Sequence, residues 1–318
     1  MAAKSRIGYQ RLANSCPVAY RHSGLVTESR HWTGNGRIHL TFVRHVFAIL
    51  FALLILSACQ TSEVLDAKQA AARAVPDRFA SIVVDGSSGK VLYSANQDAI
   101  RYPASLTKMM TLYLLFEAMH SGQVSKDTLM PISANAARQA PTKIGLKAGE
   151  SIDVDTAIRA ISVKSANDIA VAVAEYLGGS EEQFAQKMTL KARSLGMTST
   201  TFRNASGLHD PGQVTTARDM ARLGLALRRS FPGEFGYFSL RQFDVAGRTV
   251  TGHNKVLDMV DGANGIKTGY TRASGYNLVT SVERGDKTMI AVILGEDSAR
   301  ARDQRMAALV MAYMSRMN

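Results

Sequence analysis

From Ser105 to His120 the chain reads Ser-Leu-Thr-Lys-Met-Met-Thr-Leu-Tyr-Leu-Leu-Phe-Glu-Ala-Met-His, with Pro103 ahead of it and Gly122 behind. The run is apolar almost all round instead of along one stripe. A helix of that kind is stable only where other elements cover it on every side. Such a helix needs a large core, and 318 residues with 46% hydrophobic and 20% charged side chains can supply one. Intrinsic disorder and fibrous architectures are thereby excluded.

Strand patterns lie at both ends of the chain. Residues 80–85 (Ala-Ser-Ile-Val-Val-Asp) and 90–94 flank the turn Gly86-Ser87-Ser88-Gly89, which predicts a hairpin. Residues 123–260 alternate amphipathic helical stretches (154–162, 168–177, 181–195 and 216–227) with polar loops and carry few β runs. Strand patterns return at 265–269, 276–282 and 288–294. The last two form a second hairpin around Glu283-Arg284-Gly285-Asp286, and a closing helix runs from about 298 to 317. This order predicts an α+β fold: one antiparallel sheet assembled from the two ends of the chain, with a mostly helical subdomain inserted.

The formal charge of +12 would suggest nucleic acid if it were spread over the folded part, but residues 1–45 hold seven Lys/Arg against Glu28 alone and so carry half of it. The remainder contains no basic run, and no nucleic-acid partner is expected. Arg44 and His45 precede an uncharged apolar run over 46–58. A spanning helix needs about twenty such residues and a secretory core about seven to fifteen, so the run predicts export. It ends Leu56-Ser57-Ala58-Cys59, which resembles a bacterial lipobox and would make Cys59 a lipidated anchor to the membrane. The same residues also fit a plain signal peptide, with Cys59 a passenger. Residues 1–59 are therefore read as an extension plus export signal, 60–76 as a tether, and 77–318 as the folded domain. Cys16 lies in the segment to be removed, so no internal disulfide and no zinc site built on several cysteines is expected.

Three short patterns carry candidate chemistry. Ser105 and Lys108 sit three apart at the start of the buried helix, on one face, where an amine made neutral by burial can act as base for a hydroxyl nucleophile. Ser87-Ser88-Gly89-Lys90 has the same spacing but falls in the hairpin turn. Ser165-Ala166-Asn167 precedes a helical stretch; Ser165 could relay a proton and Asn167 could hold a peptide, or either could simply cap the helix. It has look-alikes at Ser94-Ala95-Asn96 and Ser133-Ala134-Asn135. Lys267-Thr268-Gly269 lies on a predicted strand, where glycine permits close backbone approach, threonine offers a hydroxyl and lysine a charge for a carboxylate. Alone, it also reads as a surface strand with an exposed lysine.

Their order along the chain, Ser-x-x-Lys on a buried helix, Ser-x-Asn in the helical block and Lys-Thr-Gly on a late strand, is similar to that of penicillin-binding proteins and serine β-lactamases. The contexts Tyr102–Thr111, Asn204-Ala205-Ser206-Gly207-Leu208, Thr215–Ala221 and Gly275–Val279 resemble the D-alanyl-D-alanine carboxypeptidases among the low-molecular-mass penicillin-binding proteins, over residues 77–318. That resemblance implies the β-lactamase-like fold with a five-stranded antiparallel sheet, no metal and no cofactor. It also implies peptidoglycan stem peptides as substrate and β-lactams as covalent inhibitors. Carried onto this chain, Ser105 is the nucleophile and Lys108 its base. The backbone amides of Ser105 and Tyr270 form the oxyanion hole, Ser165 passes a proton to the leaving D-alanine, and Asn167, Lys267, Thr268 and Gly269 bind substrate.

Two departures accompany the resemblance. Family members commonly continue into a small β-rich domain and an amphipathic anchor helix, whereas this chain stops at Asn318; no C-terminal β domain is expected, and anchoring falls to Cys59. An arginine found upstream of Lys-Thr-Gly in some members is not evident at His253-Asn254-Lys255. The alternatives are an endopeptidase of peptidoglycan cross-links, a β-lactamase of the same fold, and an inactive envelope lipoprotein. Residues 195–210 contain no glutamate, so the base of a class A β-lactamase is absent there and a long-lived penicillin adduct is expected.

Overall fold

The computed structural model describes residues 77–317; the expected export signal, Cys16, Cys59 and the expected tether lie outside them. In chain order the elements are β1 (Ala80–Asp85), β2 (Val91–Ala95), α1 (Lys108–His120), β3 (Leu129–Pro131), α2 (Ala134–Ala137), β4 (Ser151–Asp153), α3 (Val154–Arg159), α4 (Asn167–Gly178), α5 (Glu181–Ser194) and α6 (Ala217–Ser230). They continue as β5 (Gln242–Val245), β6 (Arg248–Thr251), α7 (Val256–Met259), β7 (Ala263–Thr271), β8 (Gly275–Arg284), β9 (Lys287–Glu296) and α8 (Ala299–Met314). No helix among the described residues is long and apolar enough to cross a membrane.

The predicted sheet is present. Its five strands are ordered β2-β1-β9-β8-β7 and every neighbouring pair is antiparallel. Ala80 pairs with Leu294 and Asp85 with Met289, so the first strand joins the last and closes the fold from both ends. The strands alternate two buried faces. Val83, Leu278, Val282 and Ile293 pack on one side with Met306, Leu309 and Val310 of α8. Ile82, Val84, Val279 and Ile290 pack on the other in the cluster that contains α1, α4 and α6. α1 lies behind that second face, with Met109, Met110, Leu112, Leu115 and Phe116 all fully buried. Its all-round apolar character follows from contact with α4, α5 and α6 at once.

The middle block differs from expectation in two small antiparallel pairs, β3 with β4 and β5 with β6. These strands have three or four residues, mostly exposed, and β3 ends in Pro131, so they carry no periodic signal long enough to read. The expected helix over 154–162 runs instead as α3 followed by a π-helical turn, Ala160–Lys164.

Candidate active site

The expected helix start at Ser105 is a 3₁₀ turn, Ala104–Thr107, leading into α1. Side chains three apart eclipse in a 3₁₀ turn, and Lys108 Nζ lies 3.1 Å from Ser105 Oγ. The turn is held from three directions. Asn277 of β8, fully buried, donates through Nδ2 to the carbonyls of Tyr102 (2.9 Å) and Pro103 (3.1 Å). Gly269 of β7 passes so near that a Cβ there would lie 3.0 Å from the Ser105 amide nitrogen. Gly207, at φ +83°, abuts Ala104, whose carbonyl oxygen would be 2.0 Å from an added Cβ. The glycines at 207 and 269 and the asparagine at 277 thus have steric and hydrogen-bonding reasons for being where they are. Ala104 itself has φ +48°, a strained region for a side-chain-bearing residue, directly before the serine.

Lys108 is fully buried, and its amine reaches Asn167 Oδ1 (2.7 Å) and, at short range, the carbonyl of Ser206. Burial pushes its pKa well below the ordinary lysine value and Lys267 adds like-charge repulsion, against weaker opposing pulls from Asp168 and Glu181. Neither carboxylate is turned to the amine. Asp168 accepts from the amides of Ile144 and Gly145, and Glu181 accepts from the amide of Ala205.

Ser165 has φ +62° and its buried Oγ has no hydrogen-bond partner among the described residues. Helix capping, the plain alternative for this motif, does not occur: the residue before α4 is Ala166, with no side-chain cap. The look-alike Ser133, by contrast, is a true cap, accepting from the Ala136 amide. Asn167 spends its carbonyl on Lys108 and donates from Nδ2 to Ala140 O at 2.8 Å, so one amide N–H is left over for a ligand.

Lys267 is not the exposed strand lysine that its motif alone allows. It is 2% exposed, donates to the carbonyl of Thr268 at 2.9 Å, and has a pKa pushed down to about 7 by burial and then by Arg302. Ser105, Ser165, Asn167, Thr268, Gly269 and Tyr270 line one cleft of about 500 Å³, with Lys267 buried in the strand that forms its wall. Among the described residues no carboxylate lines it. The Ser87–Lys90 look-alike sits apart, in the β1–β2 turn.

Sequence reasoning missed Arg302. This arginine of α8 lines the cleft although only 4% exposed, and Asp303 Oδ1 holds it from Nε and Nη2 at 2.9 and 2.7 Å. It supplies the guanidinium that His253-Asn254-Lys255 lacks, from a helix that begins after the last strand. The only available signal was the adjacent Arg-Asp pair at a helix start, which ordinarily reads as a solvated face.

Residues 67–298 match the family model described as D-alanyl-D-alanine carboxypeptidase. The chain belongs to this family. Among curated members, D-alanyl-D-alanine carboxypeptidase DacC of Escherichia coli is 36% identical over 263 residues, covering 80% of this chain and 64% of the relative. The chain thus spans somewhat less than two thirds of that carboxypeptidase's length. Among solved members, D-alanyl-D-alanine carboxypeptidase DacD of Francisella tularensis superposes with a TM-score of 0.72 at 31% identity, covering 74% of this chain and 70% of that one. Penicillin-Binding Protein D2 of Listeria monocytogenes, solved in its cefotaxime-bound form, gives 0.67 at 30% identity and covers 73% of this chain and 95% of that one. These likenesses bear out the fold expected from the motifs.

Proposed function

We propose that this protein is an exported serine D,D-carboxypeptidase that removes the terminal D-alanine from peptidoglycan stem pentapeptides, and that β-lactams acylate the same serine. The observation that carries the reading is the hydrogen-bond set of Lys108. A neutral amine has two N–H donors and one lone pair. Asn167 Oδ1 and Ser206 O are acceptors without a proton to give, so they take the two donors and leave the lone pair for Ser105 O–H at 3.1 Å.

In the proposed reaction Ser105 Oγ gives its proton to Lys108 Nζ and bonds to the carbonyl carbon between the two D-alanines. The oxyanion is received by the backbone amides of Ser105 and Tyr270. The C–N bond then breaks, and Ser165, whose hydroxyl has no other partner, relays the proton from Lys108 to the departing nitrogen. Lys267, Thr268 and Arg302 receive the terminal carboxylate, and Asn167 offers its remaining N–H to the peptide. Water attacks the ester to release the shortened peptide and restore Ser105. That no carboxylate lines the cleft among the described residues supports slow deacylation of β-lactams. Residues 46–59 support export and Cys59 supports anchoring by a lipid.

The test is to incubate the full chain with muropeptide pentapeptide and with cross-linked dimers and to follow both by mass. Loss of one D-alanine from the pentapeptide, together with a long-lived labelled-penicillin adduct on Ser105, is expected. Cleaved dimers with intact pentapeptide would make it an endopeptidase, and rapid penicillin turnover a β-lactamase.

A further inference from the structure

The face of β7 on the same side of the sheet as α8 carries an aromatic pair whose rings the reaction above does not use. Tyr270 and Tyr276 are register partners across β7 and β8, and their rings stack with centroids 4.2 Å apart and planes at 29°. Both line the cleft beside Ala299 and Arg302. Tyr276 is half-buried, whereas Tyr270 is 53% exposed.

Strand alternation decides which part of a substrate these rings meet. Residues two apart share a face, so the side chain of Tyr270 stands on the face of Thr268. Thr268 pairs with Leu278, which belongs to the apolar cluster that includes Met306 and Leu309 of α8. The Tyr270 ring is therefore on the side of Thr268 and Arg302. In the carboxypeptidase reading, on which this inference rests, the acyl carbon sits at Ser105 and the terminal carboxylate at Thr268 and Arg302. The departing residue spans the gap between them, with its side chain toward the open cleft.

We infer that the Tyr270 ring, propped by Tyr276, is the wall that meets the side chain of the departing residue and restricts it to a group the size of a methyl. A ring with two rotatable bonds, stacked on a neighbour, holds its place at small entropic cost. A methyl can rest on its apolar surface, while a branched or long side chain has to displace it.

The full-chain enzyme and three variants, Tyr270→Ala, Tyr270→Phe and Tyr276→Leu, are assayed by kcat/KM on acyl-peptides sharing one donor and ending in D-Ala-D-Ala, D-Ala-Gly or D-Ala-D-Leu. Active-site concentration is fixed by penicillin labelling. The wild-type order should be D-Ala, then Gly, then D-Leu. In Tyr270→Ala the advantage of D-Ala over Gly should shrink by about four-fold, the worth of one buried methylene. The D-Leu peptide should gain about tenfold relative to D-Ala. Tyr270→Phe should keep the wild-type ratios, and Tyr276→Leu should fall between. Equal scaling of all three substrates in Tyr270→Ala would overturn the wall while leaving the activity standing. Wild-type enzyme that forms the penicillin adduct yet releases none of the three residues would overturn both.

Discussion

Replacing Lys267 by methionine should make the protein more stable and leave it unable to release D-alanine. The side chain is 2% exposed, its amine contacts one carbonyl, Thr268 O, and Arg302 adds repulsion. Burial, and then the repulsion of Arg302, lower its pKa from 10.5 to about 7, a drop that corresponds to on the order of 5 kcal/mol between the two protonation states. Between those two values the unfolded chain binds the proton and the folded chain progressively does not, so wild-type stability rises with pH across that window and the penalty is complete below about 7. Methionine keeps much of the stem's length and apolar contact while removing the charge. With about half of that penalty relieved by the substitution, the variant gains roughly 2 kcal/mol near neutral pH, or roughly 4–8 °C in Tm for a domain of this size. The assay is thermal unfolding of both proteins from pH 6 to 10, with D-alanine release measured in parallel. The variant's lead should be largest at the acid end and shrink toward the alkaline end. A lower midpoint for the variant throughout, or a difference independent of pH, would refute the reasoning.

Gly207→Ala should be among the most damaging single changes to acylation, because its Cβ would fall 2.0 Å from the Ala104 carbonyl at φ +83°. Penicillin labelling should drop at least tenfold even in the fraction that circular dichroism reports as folded. Asn277→Ala leaves the buried carbonyls of Tyr102 and Pro103 without their donor and should cost about 1–3 kcal/mol in urea unfolding. Arg302→Gln removes the cation that lowers the Lys267 pKa. It should raise KM for D-Ala-D-Ala peptides by about tenfold or more, as loss of a charged hydrogen-bond partner does, while a pH titration of activity shows Lys267 holding its proton to higher pH.

The parts of this molecule that sequence made legible are those with long periodic signals. Val83, Leu278 and Ile293 alternate with residues of the opposite face over strands long enough to pattern, and α1 is apolar on every side because helices surround it. The 3₁₀ turn at Ala104–Thr107 and the π turn at Ala160–Lys164 were not legible. Their conformations are imposed by neighbours: Gly207 and Gly269 press on the first, and the second ends at Ser165 in a left-handed conformation. The motif residues stood out only together, since Ser133 and Ser165 head identical Ser-Ala-Asn triplets, yet one caps a helix and the other faces the cleft. Arg302 was invisible for a different reason. A charged side chain near a helix start reads as solvated, and only the packing of α8 on the sheet brings it to the cleft.

Lys108, Lys267 and Arg302 are all buried and act in series: Lys267 repels a charge on Lys108, and Arg302 repels a charge on Lys267. Arg302 has a carboxylate, Asp303, on two of its nitrogens. Lys267 has one carbonyl and titrates near neutrality. Lys108 has carbonyls and a hydroxyl, and burial together with the repulsion of Lys267 holds its pKa well below the ordinary lysine value. The repulsion between Lys267 and Lys108 makes the proposed base and the proposed carboxylate receiver interdependent. A carboxylate arriving at Lys267 favours its protonated form, and a fully charged Lys267 further disfavours a proton on Lys108. On this account substrate binding itself readies the amine that takes the proton of Ser105, and a ligand lacking the terminal carboxylate would meet an enzyme whose base is less completely neutral.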